Sequence, residues 1–174
     1  MQSELKYSLA MRSLHWLVVL AVLIAVVAIE VLDVFPKGSA TRAAVFMVHQ
    51  TAGLSVLALM VLRLFARWGT QAPPPIPGSR LVQRAAQLTH GALYLLMVGM
   101  PILGVLALAW DGKPLQPFGL TFALPLAQDK PLAHLSKEVH ESGATLVYIV
   151  VGLHAAAALW HEFILKDRLL RRMI

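Results

Sequence analysis

Residues His140 to His161 read HESGATLVYIVVGLHAAAALWH, with no charged residue from Ser142 to the final histidine. At about 1.5 Å of rise per residue this uncharged run is about 30 Å long as a helix, the thickness of a bilayer's hydrocarbon core. His140 and His154 lie two heptads apart, so the helix returns them to nearly the same face after a rise of about 21 Å. A polar ring at that depth is costly and requires a partner. The stretch reads as a membrane span carrying two imidazoles on one face, one near each surface.

The rest of the 174-residue chain has the same character: 58% hydrophobic and 14% charged, with a mean hydropathy of +0.70, which excludes an ordinary soluble domain. Three further runs reach the roughly 20 apolar residues that a span needs. They are Leu14 to Leu32, interrupted only by Glu30, then Ala43 to Leu62, and Ala85 to Trp110. Runs this long without alternation are not barrel strands of about ten residues. The expected fold class is all-α: an integral membrane four-helix bundle, a single transmembrane domain over residues 1–174 with helices over about 12–32, 43–67, 82–110 and 137–163.

The formal charge of +6 does not point to nucleic acid, because the basic residues sit at the ends of the apolar runs. One side collects Lys6, Arg12, Arg63, Arg67, Arg80, Arg84, Lys166, Arg168, Arg171 and Arg172; the other has Lys37, Arg42, Lys113, Lys130 and Lys137. The positive-inside rule then places both termini in the cytoplasm. The first helix is read as retained, since its apolar core exceeds that of a signal peptide. Pro73, Pro74, Pro75, Pro77 and Gly78 make the second connection a stiff extended link. The third connection surrounds an apolar patch, Phe118 to Ala127, too short to span and expected to lie in the interface as a cap.

This topology gives each histidine a depth. His15 and His154 fall near the cytoplasmic side, His49 and His140 near the outer side, so two level pairs result. Each pair could clamp one iron from both faces of a porphyrin, as in a low-spin b-type haem. With no cysteine in the chain, such haems would be held non-covalently and no thiolate-bound cluster is available. A lone membrane histidine can instead bond a neighbouring helix. Proton relays and cofactor-free transporters usually add Asp or Glu, which these span interiors lack, and neither His140-Glu141 nor His161-Glu162 continues as the HExxH of zinc peptidases. His90, at the start of the third helix, has a depth like that of His15, so either could face His154. Gly53 and Gly143, close to the outer pair, would let a flat macrocycle approach, or simply let helices pack. Arg63, fourteen residues after His49, could pair a haem propionate or an anionic quinone, or snorkel at the helix end.

The segments Arg12-Ser-Leu-His15-Trp16, Met47-Val-His49-Gln-Thr-Ala-Gly53, Leu88-Thr-His90-Gly-Ala-Leu-Tyr94 and Gly152-Leu-His154 through Leu159, with Lys166-Asp167, resemble the bacterial cytochrome b561 family over nearly the whole chain. Within it they are most similar to the branch of superoxide oxidases, which pass electrons from superoxide to ubiquinone. The resemblance implies two haem b groups, with His15 and His154 on the inner iron and His49 and His140 on the outer one, leaving His90 beside the haem or on the quinone side. It also implies a quinone contact at His161, walled by Trp160 and Trp16, which could equally be interfacial anchors.

Two imidazoles per iron leave no open coordination position, so electron transfer is favoured over oxygen activation. The expected function is that of an oxidoreductase in the bacterial inner membrane, taking electrons from periplasmic superoxide to ubiquinone. The alternative is a haem-bearing anchor that relays electrons between a partner dehydrogenase or hydrogenase and the quinone pool. Steering of superoxide is not evident in the outer net charge, since the five bases there meet Glu30, Asp33, Asp111, Asp129, Glu138 and Glu141. Lys37, Arg42, Lys113, Lys130 and Lys137 would have to converge on the outer haem while the acids point away.

Overall fold

The computed structural model describes residues 6–75 and 78–174; Pro77 of the proline-rich link lies outside them. Four long helices, α1 (Leu9–Glu30), α2 (Ala40–Trp68), α3 (Arg80–Trp110) and α4 (Lys130–Trp160), carry the fold. Each begins at a side chain that accepts a hydrogen bond from the backbone N–H three residues on. Ser8 accepts from Met11, Ser39 from Arg42, Ser79 from Val82 and Asp129 from Leu132, at 3.3, 3.1, 3.4 and 3.0 Å. These caps satisfy N–H groups that a helix cannot pair internally. They also explain why α4 starts at Lys130 rather than Lys137: Asp129 caps, and Pro131 in the first turn needs no donor.

All four helices are long and apolar enough to cross a membrane, and only 11–17% of each apolar window is buried within the protein. Leucines such as Leu20, Leu23, Leu95 and Leu153 point outward. Helices pair all their interior backbone groups within one segment, so lipid can solvate this surface without leaving polar groups unpaired.

Packing divides the bundle into two hairpins. α1 lies against α2 and α3 against α4, with a narrower contact between α2 and α3. The buried core is a thin plug of Val18 and Ala21 from α1, Val56 and Met60 from α2, Met97 from α3 and Val147 from α4. Val147 is two helical turns from both His140 and His154, so the plug separates the two histidine levels.

At the end bearing the α1–α2 and α3–α4 connections, here the loop end, the Arg42 guanidinium bonds the carbonyls of Leu32 and Phe35 at 2.7 and 3.1 Å. It also pairs Asp33 at 2.8 Å. The long 111–129 connection is pinned to the flank of α2: Gln116 N–H donates to Gln50 Oε1 at 2.6 Å and Phe118 N–H to Thr51 Oγ1 at 2.9 Å. Its Leu115 and Pro117 turn inward while Phe118, Leu120 and Phe122 stay exposed, so the loop meets the bundle through the residues just before the apolar run and not through that run as a whole.

At the opposite, terminal end, α4 runs into a π-helical turn, His161–Leu165. Lys166 and Arg168 then adopt left-handed backbone (φ 55° and 60°), which costs a non-glycine residue about 1–2 kcal/mol. The tail folds back under α1, where the Trp16 indole donates to the Met173 carbonyl at 2.8 Å and Tyr7 N–H to the Arg172 carbonyl at 3.1 Å. The Arg12 guanidinium bonds an Ile174 main-chain oxygen.

Asp129→Ala removes the α4 cap and should cost about 1 kcal/mol, read as a lower thermal midpoint in detergent; Asp129→Asn, which can still accept the bond, should recover most of it.

Candidate functional site

The histidines separated in sequence meet in space at two levels. At the loop end the rings of His49 on α2 and His140 on α4 have centroids 6.1 Å apart with planes at 89°. At the terminal end His15 on α1 and His154 on α4 lie 6.3 Å apart at 76°. His90 on α3 also joins the second group, 5.5 Å from His154.

Hydrogen bonds orient the loop-end rings. His49 Nδ1 bonds the Ala25 carbonyl of α1 at 2.9 Å, and His140 Nδ1 bonds the Met100 carbonyl of α3 at 2.8 Å. A carbonyl can only accept, so both Nδ1 atoms carry the proton and Nε2 is left with its lone pair for a metal. Each ring is held by the other helix of its own hairpin and faces across the gap between hairpins. A Cβ on Gly104 would stand 3.1 Å from Cε1 and 3.3 Å from Nδ1 of His140, so this glycine makes room for the ring. Nothing in the sequence sets Gly104 apart from the other glycines, and it was not anticipated. Gly53 lines the cavity beside His49 with nothing close to it. Gly143 does not: a Cβ there would meet Met100 Sδ at 2.5 Å, so it serves the contact between α3 and α4.

Between the hairpins lies a cavity of about 750 Å³, lined by His49 and His140 and reaching from the apolar plug at Val56 and Val147 to Lys113, Lys130 and Lys137 at its mouth. That is the upper range of small-molecule sites. Two metal–imidazole bonds of about 2 Å, with about 1.1 Å from nitrogen to ring centre, place two such centroids about 6 Å apart. The separations of 6.1 and 6.3 Å fit one iron between each pair; His90, at 5.5 Å from His154, is tighter than that spacing. The ring spacing of both pairs is that of two imidazoles on one iron, and at the loop end a cavity adjoins the pair, which therefore fits a haem there.

The comparisons with known proteins agree. The family model described as prokaryotic cytochrome b561 matches residues 6–174. The chain belongs to this family. It is 34% identical over 172 residues to cytochrome b561 homolog 1 of Escherichia coli (strain K12), covering 97% of both chains. It is 35% identical over 170 residues to the probable superoxide oxidase CybB of Yersinia pestis, covering 97% of this chain and 96% of the relative. Cytochrome b562 of Cereibacter sphaeroides is 33% identical over 128 residues, 72% of this chain and 65% of the relative. Proteins of the cytochrome b561 family bind b-type haem and move electrons within membranes, an oxidoreductase role.

In this cytochrome the terminal end is where polar groups lack partners. Arg63 Nη1 is buried without a hydrogen-bond partner among the described residues, within electrostatic reach of His15, His90 and His154. It is a ready donor for an anionic group beside that histidine cluster. His161 closes α4, and its Nδ1 lies 2.5 Å from Asp167 Oδ2. The Trp16 ring stacks edge-on against His15 at 5.4 Å, with its N–H taken up by Met173. Trp160 is 56% exposed and stands at the lipid-facing surface.

The loop-end mouth is electrically balanced. Of the five bases at the loop end, Lys113, Lys130 and Lys137 line the cavity while Lys37 and Arg42 do not. The acids do not turn away: Asp111 pairs Lys113 at 2.6 Å and Lys130 at 2.8 Å, and Glu141 pairs Lys137 at 3.4 Å. Hydrogen bonds from Lys113 and then Lys130 hold the Asp111 carboxyl down to about 2. A depressed carboxyl keeps its ion pairs above its ordinary value of 3.8 and loses them only as pH falls towards about 2. Two contributors escaped sequence reading. His134 also lines the mouth, and the Tyr148 hydroxyl donates to Glu30 Oε1 at 2.6 Å, joining α4 to α1 beside the cavity.

Gly104→Val should displace the His140 ring and lower haem content, read by pyridine haemochrome, whereas Gly143→Val should disturb packing against Met100 first. Asp111→Asn should free two ammonium groups at the mouth. Haem reduction by a small anionic reductant should then speed up severalfold at low ionic strength, with the gain lost at high salt.

Proposed function

We propose that the protein is a two-haem b-type cytochrome of the bacterial inner membrane, a superoxide oxidase that carries electrons from periplasmic superoxide to ubiquinone. The observation that carries this reading is the presence of two opposed imidazole pairs, at 6.1 and 6.3 Å, at two levels of one membrane bundle. The name of the near-full-length Yersinia pestis relative, probable superoxide oxidase, supports the substrate. The excess of Lys and Arg at the terminal end supports cytoplasmic termini.

In this reading His49 and His140 hold the outer haem, and His15 and His154 the inner one. Haem held by these histidines would supply reversible one-electron transfer. The chain's own residues do the rest. Ala25 and Met100 carbonyls hold the outer imidazoles in the metal-binding tautomer, Gly104 admits one of them, and Arg63 would be the donor for a propionate of the inner haem. The plug of Val18, Val56, Met97 and Val147 keeps water from the path between levels. His161, with His90, Trp160 and Trp16 nearby in the terminal half, forms the quinone side. The balance is two superoxide ions, one ubiquinone and two protons giving two dioxygen molecules and one ubiquinol, with the protons drawn from the cytoplasm.

The test is the purified protein. Two b haems per chain, rapid haem reduction by superoxide without another subunit, and loss of one haem each in His140→Ala and His154→Ala are expected. A protein that carries one haem or none after expression with ample haem overturns the reading. One that carries two haems yet stays inert to superoxide until a dehydrogenase or hydrogenase is supplied is instead a membrane anchor for that partner.

A further inference from the structure

The segment that follows α4 is built around one carboxylate. Asp167 sits between two non-glycine residues in left-handed backbone, Lys166 at φ 55° and Arg168 at φ 60°, and directly after a π-helical turn, His161–Leu165. Both features are uncommon, and both concentrate at functional positions. Their joint effect is to bring Asp167 back to His161: its N–H bonds the His161 carbonyl at 3.2 Å, and its Oδ2 lies 2.5 Å from His161 Nδ1. The other oxygen, Oδ1, accepts from Leu169 N–H at 3.2 Å. The carboxylate is thus fixed by both oxygens, and both side chains are largely covered, at 26% and 21% exposure for Asp167 and His161. A left-handed residue such as Lys166 is a common helix end; the second one, Arg168, and the carboxylate bonds of Asp167 go beyond it.

We propose that Asp167 is a positioning residue that turns His161 into a proton donor for the quinone. This rests on the reading of His161 as the quinone contact and adds what that reading lacks, a source for the proton. Asp167 takes His161 Nδ1–H, which leaves Nε2 as the nitrogen for the headgroup. When the ring carries both protons, Nδ1–H stays on the carboxylate and Nε2–H is free to bond a quinone carbonyl oxygen. Reduction to the quinol adds two electrons, taken from two superoxide ions that leave as dioxygen, and two protons. His161 gives one proton from Nε2 to the carbonyl oxygen it bonds, keeps Nδ1–H on Asp167, and is reprotonated at Nε2 by water once the quinol has left; the second carbonyl oxygen is protonated from water. Glu162 and Arg171, paired at 3.4 Å beside the histidine, are the neighbouring charges on the same stretch.

Charge and position separate in two substitutions. Asp167→Asn keeps an oxygen that can accept from Nδ1 but carries no charge; Asp167→Ala loses both. Binding of a short-tailed ubiquinone to the haem-loaded protein in detergent, followed by calorimetry, should stay within about twofold in Asp167→Asn and weaken about tenfold in Asp167→Ala. Quinone-reduction turnover in Asp167→Asn should fall by about tenfold to a hundredfold at little change in KM, the scale of a lost general acid. Haem content should be unchanged in both. If His161→Ala leaves ubiquinone binding intact, the quinone site lies elsewhere and the reading beneath this proposal fails. If His161→Ala abolishes binding while both Asp167 variants bind and turn over like the parent, the quinone site stands and the role of Asp167 is overturned.

Discussion

The Nδ1–H bonds from His49 to Ala25 and from His140 to Met100 are made inside the two hairpins, and the architecture follows from that division. Each hairpin settles the tautomer and tilt of its own ring and presents Nε2 to the gap. Little protein packing crosses the gap: the plug at mid-height is six side chains, and the cavity above it measures about 750 Å³. A flat apolar macrocycle ligated from both sides would therefore do the work that interior side chains do in other bundles. Because binding to the folded state stabilises it by mass action, haem loading and bundle stability are coupled in such a design.

Much of the fold was legible because lipid imposes one rule, that spans be long and apolar. Leu14–Leu32, Ala43–Leu62, Ala85–Trp110 and Ser142–His161 each obey it, and four membrane-length helices are present. The two-heptad spacing of His140 and His154 was equally readable, since helical periodicity converts it directly into one face and two depths. Contacts between helices were not. No pattern in the sequence distinguishes Gly104, which clears space for His140, from Gly143, which clears space for Met100. Nor does any periodicity announce that Gln50 and Thr51 reach out of α2 to hold a loop more than sixty positions later. Such pairings depend on helix rotation and on a loop's path, neither of which local pattern specifies. The start of α4 was missed for a different reason: the charges of Lys137, Glu138 and Glu141 end the apolar run, while the helix itself continues outward to the Asp129 cap.

The two ends of the molecule differ in how their polar groups are satisfied, and the difference bears on what each end meets. At the loop end the charges at the cavity mouth are largely satisfied within the protein: Asp111 holds two lysines and Glu141 a third, and the Glu30 carboxylate accepts from the neutral Tyr148 hydroxyl. A surface compensated in this way offers a small anion no strong field beyond a Debye length. An electron donor that needs only to approach a haem edge can tolerate that, because it does not have to be held.

The terminal end is built the other way. The three buried side-chain atoms without a hydrogen-bond partner among the described residues, Arg12 Nε, Arg63 Nη1 and Glu162 Oε2, belong to the terminal halves of α1 and α2 and to the π-helical turn after α4. A buried polar atom left unpaired costs about 1–3 kcal/mol, and three in one region point to groups that are completed by something other than this chain. The same region carries the left-handed Lys166 and Arg168 and the tail that straps Arg12 and Trp16. Strain and unsatisfied donors persist in a fold where binding repays them. Quinone carbonyls and haem propionates are acceptors that could complete the two arginine donors, whereas Glu162 Oε2 needs a donor. The asymmetry of polar satisfaction supports the proposal of a held substrate at the terminal end and a transient one at the loop end, independently of any count of positive charges.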